Sequence, residues 1–138
     1  MERTYSDEGS YSGSCNCGGV TYAVEGRLRE VVACHCGQCR KQSGLYFAAT
    51  DAKDSDLTIN DSGTLKWYAA SEDAHRGFCG ECGSALFWKR VNSDKTSVLA
   101  GTMDGDAGGI KVDRHIFVAD KGDYYEIDDG LPKFAQAD

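Results

Sequence analysis

The residues best able to do chemistry are seven cysteines in three groups: Cys15-Asn16-Cys17, Cys34-His35-Cys36-Gly37-Gln38-Cys39 and Cys79-Gly80-Glu81-Cys82-Gly83. An odd count leaves one thiol over in any scheme of disulfides. Residues i and i+2 of an extended segment share a face, so Cys15 with Cys17, and Cys34 with Cys36, are expected to aim paired sulfurs at one point. A Cys-x-x-Cys with glycine inside it or just after it can fold into a tight knuckle that presents two sulfurs to one ion. Cys36/Cys39 and Cys79/Cys82 have that form. Thiolates grouped in this way are expected to bind zinc.

Zinc takes four protein ligands in a closed structural site, and three plus an exchangeable group in a catalytic one. Seven divides simply as four and three. Cys15, Cys17, Cys79 and Cys82 would close a structural site, tying the first hairpin to a knuckle more than sixty residues later. Cys34, Cys36 and Cys39 would hold a second zinc with one position open. Other readings stand beside this one: two structural zincs, one zinc and an incidental triad, or unliganded thiols buried in a core. A redox Cys-x-x-Cys is a further rival, though no βαβ context surrounds either candidate.

His35 lies between two of these ligands and, in an extended segment, points to the opposite face, so it is expected not to bind metal. His75 and His115 lack metal-like spacing and read as structural or exposed. Tyr46, Phe47, Trp67, Phe78, Phe87 and Trp88 read as core rather than as substrate wall. Asp104 is either a proton-transfer group or an Asp-Gly turn, and no acid–base residue is assigned.

The elements that must position these residues are short alternating segments. Val20, Tyr22 and Val24 alternate, and stretches 45–49, 56–60, 64–68, 85–88, 96–100 and 115–118 follow, separated by turns such as Asn60-Asp61-Ser62-Gly63. The pattern predicts a mainly β fold of short antiparallel strands, with one helical turn from Gln38 to Ser43 stopped by Gly44. One domain over 1–138 is expected, its core about 10–134, with frayed acidic ends at 1–8 and 135–138.

Fifteen Lys and Arg stand against 22 Asp and Glu, a formal net charge of -7, which disfavours a phosphate-binding surface and with it a nucleic-acid partner. No apolar run reaches the roughly 18–20 residues that cross a bilayer. The polar, acidic start does not read as a signal peptide, so a cytoplasmic setting with reduced thiols is expected. Oligomeric state has no signature here.

The chain resembles the glutathione-dependent formaldehyde-activating enzymes, a family that includes the centromere protein V group. The matching stretches are Gly13-Ser14-Cys15-Asn16-Cys17-Gly18-Gly19-Val20-Thr21-Tyr22, Cys34-His35-Cys36-Gly37-Gln38-Cys39-Arg40 and Arg76-Gly77-Phe78-Cys79-Gly80-Glu81-Cys82-Gly83-Ser84. Weaker matches are Leu99 to Asp104, Arg114-His115-Ile116 and Asp128 to Phe134. The resemblance implies a β-tent of several coiled sheets, a structural zinc on the outer pairs and a catalytic zinc on Cys34, Cys36 and Cys39. It implies a carbon–sulfur lyase acting on a glutathione adduct such as S-hydroxymethylglutathione. Glutathione carries carboxylates, and Arg40 and Lys41 are the candidates to meet them, with solvated surface residues as the plain alternative. The segment Gly122-Asp123-Tyr124-Tyr125 departs from the family, many of whose members have a tryptophan there, and Gly108-Gly109-Ile110-Lys111 lacks an expected proline. The rival function is a zinc-stabilised binding module with a protein partner, in which a protein side chain completes the triad. Methionine sulfoxide reduction on the same fold would need a cysteine outside the three groups, and there is none.

Overall fold

The computed structural model describes residues 1–138, the side chain of Ala107 excepted. In chain order the elements are β1 (Gly9–Ser14), β2 (Val20–Gly26), β3 (Val31–Cys34), α1 (Gly37–Ser43), β4 (Phe47–Lys53), β5 (Leu57–Asp61), β6 (Leu65–Ala69), β7 (Ala74–Cys79), β8 (Ala85–Arg90), β9 (Lys95–Leu99) and β10 (Val112–Ile116). They form a three-stranded sheet, β1-β2-β5, and a seven-stranded sheet, β10-β3-β4-β9-β8-β7-β6. The fold is mainly β, as the alternating segments predict. One pairing departs from the antiparallel expectation: β10 runs parallel to β3, placing Ile116 beside Cys34.

The alternation in β2 sends Val20, Tyr22 and Val24 into the core while Thr21 and Glu25 face solvent. Tyr22 joins the sheets, its ring edge-on to Phe87 of β8 at 5.6 Å between centroids. Its hydroxyl meets Thr102 Oγ1 at 2.6 Å. The core gathers around the cysteines. Cys15 and Cys79 pack with Val20, Tyr22, Leu86, Phe87 and Val98. Cys39 packs with Phe47 and Ala49, flanked by Cys34, Cys36, Trp88 and Leu99.

Helix α1 begins where Cys36, in an extended conformation, accepts the Cys39 backbone N–H on its sulfur at 3.3 Å. It ends at Gly44, whose φ of 86° is a left-handed cap that costs glycine little, with its N–H donating to Arg40 O at 2.8 Å. The last segment expected as strand, 115–118, is cut short. β10 stops at Ile116 because Phe117 turns into the left-handed region at φ 56°.

The chain ends are fastened, not frayed. Ser6 N–H donates to Leu28 O at 2.7 Å, and Glu30 N–H to Thr4 O at 2.7 Å. At the other end, Phe117 and Val118 donate to Gln136 O and Phe134 O at 3.0 and 3.1 Å. The anchor is Arg114, fully buried on β10, which donates to Glu30 at 2.9 Å, to the Asp138 carboxylate, and to Glu2 O at 2.9 Å. The chain ends thus supply one carboxylate, Asp138, and one carbonyl, Glu2 O, to a buried cation that also pairs with Glu30 and Asp113.

Candidate functional site

Two cysteine clusters form. The sulfurs of Cys15, Cys17, Cys79 and Cys82 lie within 4.8 Å of one another, as do those of Cys34, Cys36 and Cys39. Both sets could hold a metal ion, and all seven cysteines are free thiols. The partition follows the four-and-three count.

In the first cluster Cys15 to Cys17, and Cys17 to Cys79, are each separated by 3.7 Å between sulfurs. A tetrahedron with metal–sulfur bonds of about 2.3 Å has edges of about 3.8 Å. The Cys15–Cys17 segment reaches this spacing through a turn, with Gly18 N–H donating to Cys15 O at 3.2 Å, and not through the extended segment expected. Backbone N–H groups point at the sulfurs: Val20 at Cys15 (3.3 Å) and Cys82 at Cys79 (3.5 Å). Thr64 Oγ1 lies 3.4 Å from Cys79 Sγ, and Asn16 N–H donates to Ser84 Oγ at 2.9 Å, tying one knuckle to the other. The Ser84 hydroxyl and backbone hold the Cys82 thiol down at about 5, which favours the thiolate that a cation needs. Gly19 is required here, since a Cβ on it would sit 2.6 Å from Thr64 Oγ1.

The triad is built by a strand end and a helix start. Cys34 closes β3, Cys36 caps α1, and Cys39 lies in the first turn of α1, facing inward. Contact with Cys34, then Cys39, draws the Cys36 thiol down to about 2. Contact with Cys36, then Cys39, together with burial pushes Cys34 well above the thiol range. Clustered sulfurs compete for negative charge, and a divalent cation between them ends the competition by stabilising each as thiolate. Among the described residues no fourth Cys, His, Asp or Glu joins this cluster.

All three sulfur-bearing residues line a cavity of about 720 Å³. Its floor is one face of the seven-stranded sheet, and strand register explains which side chains reach it. Directly opposed residues share a face. Cys34 opposes Ile116 and Phe47, Val32 opposes Ala49, Trp88 opposes Ser97 and Arg76, and Arg90 opposes Ala74. All of them line the cavity. Arg3, Arg29, Ala137 and Asp138 add part of the wall, and so does Phe117 in its left-handed conformation.

Arg76 is 2% exposed and lies against the triad. Its Nε donates to Gln38 Oε1 at 2.8 Å, one terminal nitrogen donates to Cys39 Sγ at 3.3 Å, and Cζ lies over the Phe47 ring, 5.0 Å from its centroid. Arg40 and Lys41, expected near a ligand's carboxylates, do not line the cavity. At about 100° per residue, the turn that points Cys39 inward carries the next two residues away. Arg40 is half-buried and Lys41 is exposed.

His35 stays out of the metal cluster. It is fully buried, with Nε2 2.8 Å from His115 Nδ1 and Nδ1 against the Tyr125 hydroxyl, while His115 Nε2 meets Asp129 at 2.7 Å. Burial, then the neighbouring His115, lowers His35 to about 4, so it is neutral near pH 7. This chain of side chains braces the peptide that carries Cys34 and Cys36. It also gives Tyr125 a defined structural role. Asp104 is exposed, accepts from Ser12 Oγ at 3.0 Å and lies outside the cavity wall. Of the aromatics read as core, Phe87 is buried, Phe47 and Trp88 form cavity wall, Tyr46 packs 4.8 Å from His35, and Trp67 is 42% exposed. Sequence reasoning missed Arg76 as a site residue. Its position three residues before Cys79 gave no period-two signal, because a register shift between Gly77 and Phe78 is what brings both residues inside.

No helix is long and apolar enough to cross a membrane. A solved structure of a Rhodobacter sphaeroides protein is similar, with a TM-score of 0.59 and 27% identity, covering 73% of this chain and 98% of that one. A protein of Schizosaccharomyces pombe described as an uncharacterized lyase is 24% identical over 117 residues, 85% of each chain. The family model for glutathione-dependent formaldehyde-activating enzymes matches residues 10–120, which include every cysteine of both clusters and the whole floor of the cavity. The chain therefore belongs to the glutathione-dependent formaldehyde-activating enzyme family.

Proposed function

We propose that this protein is a zinc-dependent carbon–sulfur lyase that makes and breaks the bond between glutathione, or a related thiol, and a small carbonyl carbon. The observation that carries this reading is the three-sulfur cluster of Cys34, Cys36 and Cys39 at the wall of a 720 Å³ cavity, with no fourth protein ligand among the described residues. Thiolate donors suit zinc, and three of them leave one position for a substrate. The lyase description of the fission-yeast relative supports the reaction class.

Cys34, Cys36 and Cys39 would hold the catalytic zinc, and Cys15, Cys17, Cys79 and Cys82 the structural one. Zinc bound at the triad would stabilise an incoming thiol as its thiolate and offer a Lewis acid to a carbonyl oxygen. The protein's own part is positioning. Phe47 and Trp88 give the cavity an apolar wall beside the sulfurs, and Arg76 offsets their negative charge from 3.3 Å. Seven free thiols suit a reducing cytoplasm. A binding module with a completed second site is disfavoured because the triad opens on a cavity and lacks a fourth ligand.

The test combines metal analysis with exchange spectroscopy. Two zinc ions per chain should accompany faster exchange between glutathione, formaldehyde and their adduct. Cys36→Ser should keep one zinc and the fold while losing the acceleration. A protein loaded with two zinc ions that leaves the exchange rate at its uncatalysed value would overturn the proposal.

A further inference from the structure

Four arginines and two aspartates line the cavity, on a chain whose formal net charge is -7. Four of these six side chains are already committed. Arg3 pairs with Glu30 and Asp138, Arg29 with Asp51 at 2.9 Å, and Arg76 with Gln38 and Cys39, while Asp138 also accepts from Arg114. Arg90 and Asp73 remain. Both are solvent-exposed on the cavity wall, and neither forms an ion pair among the described residues.

Backbone pairing brings these two residues together. Arg90 ends β8 opposite Ala74, the neighbour of Asp73, and Val91 N–H donates to Asp73 O at 2.8 Å. Asp73 itself sits in the turn that joins β6 to β7, its N–H donating to Ser71 Oγ at 3.2 Å. A cation and an anion placed side by side, without neutralising each other, are both open to one ligand.

The sheet also sets their place relative to the sulfurs. One row nearer the triad, Arg76 opposes Trp88; Arg76 touches Cys39 Sγ at 3.3 Å and Trp88 packs against the Cys39 cluster. Two residues of strand advance about 7 Å, so the Ala74–Arg90 row lies one such step beyond the residues that touch the triad. Both ends of glutathione are several bonds from its sulfur, so reach alone does not choose between them. Charge does. The glycyl end is a carboxylate alone, whereas the γ-glutamyl end carries a carboxylate and an ammonium on one carbon.

We propose that Arg90 and Asp73 form the specificity subsite for an α-amino-acid group at the far end of the thiol ligand, the γ-glutamyl end of glutathione; this rests on the thiol reading above. The planar fork of Arg90 takes the carboxylate through two N–H donors, and Asp73 takes the ammonium. The subsite thus sorts thiols by what they carry away from the reacting sulfur.

Calorimetry on the zinc-loaded protein compares glutathione with γ-glutamylcysteine, which lacks the glycyl end, and with N-acetylcysteinylglycine, which lacks the paired charges. A fourth compound, 2-mercaptoethanol, reads the thiol alone. Glutathione and γ-glutamylcysteine should bind within about threefold of each other, and N-acetylcysteinylglycine about 5- to 30-fold more weakly, the range of two ion pairs at accessible positions. Arg90→Met and Asp73→Asn should each remove a large part of that preference, with zinc content and the urea midpoint unchanged because both side chains are exposed. Equal affinities for glutathione and N-acetylcysteinylglycine in the unmodified protein, a result independent of any variant's folding, would overturn the proposal. So would an undiminished preference in Arg90→Met, or γ-glutamylcysteine falling to the affinity of N-acetylcysteinylglycine. Binding of 2-mercaptoethanol with no preference among the other three removes this inference alone. Failure of all four to bind removes the thiol reading itself, and this inference with it.

Discussion

Replacing Arg114 with methionine isolates the energetics of the fastened chain ends without touching either cysteine cluster. The guanidinium is fully buried and pairs with Glu30, itself 3% exposed, at 2.9 Å. Removing one partner of a buried ion pair costs about 3–5 kcal/mol, because the other charge stays desolvated. Glu30 would not be abandoned, since it keeps Arg3 at 3.3 Å and the Thr4 N–H at 2.9 Å. Asp138 keeps Arg3 at 3.2 Å and can turn to solvent. The low end therefore applies, about 3 kcal/mol, a large share of a stability of about 5–15 kcal/mol. Arg3 has a side chain 35% exposed, so Arg3→Ala should cost at most about 1 kcal/mol. Urea unfolding at fixed excess zinc measures both. Adding Glu30→Gln to Arg114→Met should recover part of the loss. If Arg114→Met falls within 1 kcal/mol of the unmodified protein, the idea that buried charge fastens the ends fails.

Other outcomes follow from the same geometry. Cys79→Ser, or removal of zinc by a strong chelator, should unfold the domain in far-ultraviolet circular dichroism, because structural zinc contributes about 10–16 kcal/mol apparent, as much as the whole stability of a domain. Ser97→Phe would fill the floor opposite Trp88; it should raise KM for the adduct at least about tenfold while both zinc ions remain on metal analysis. Burial opposes, but the Arg114 hydrogen bond and the Arg3 charge prevail, in holding Asp138 below the usual carboxylate range. Its contribution is therefore complete above the unfolded value near pH 4 and lost as pH falls through the lowered folded one. Protection factors of the Phe117 and Val118 amides should drop on acidification before global unfolding.

The strands that alternate and the cysteine grouping could be read in advance, because period-two burial and ligand spacing are local properties. β3 escaped notice because Val31, Val32 and Ala33 are all buried, leaving no alternation to see. β7 escaped because Ala74-His75-Arg76-Gly77-Phe78-Cys79 mixes charge and glycine into a strand whose Arg76 is nonetheless inside. The cavity floor depends on register across β3, β4, β9, β8 and β7, which no single segment encodes. The acidic C-terminal end looks solvated until a buried arginine 24 residues before Asp138 is known to claim its carboxylate.

The floor's construction also bears on how relatives with the same sulfurs can diverge. Ala49, Ala74 and Ser97 are small, sit on separate strands, and point into one chamber without ligating anything. Each can be enlarged or made polar with little disturbance to hairpin pairing or to the cysteines. The shape of the chamber is therefore adjustable one tile at a time while both cysteine clusters stay as they are.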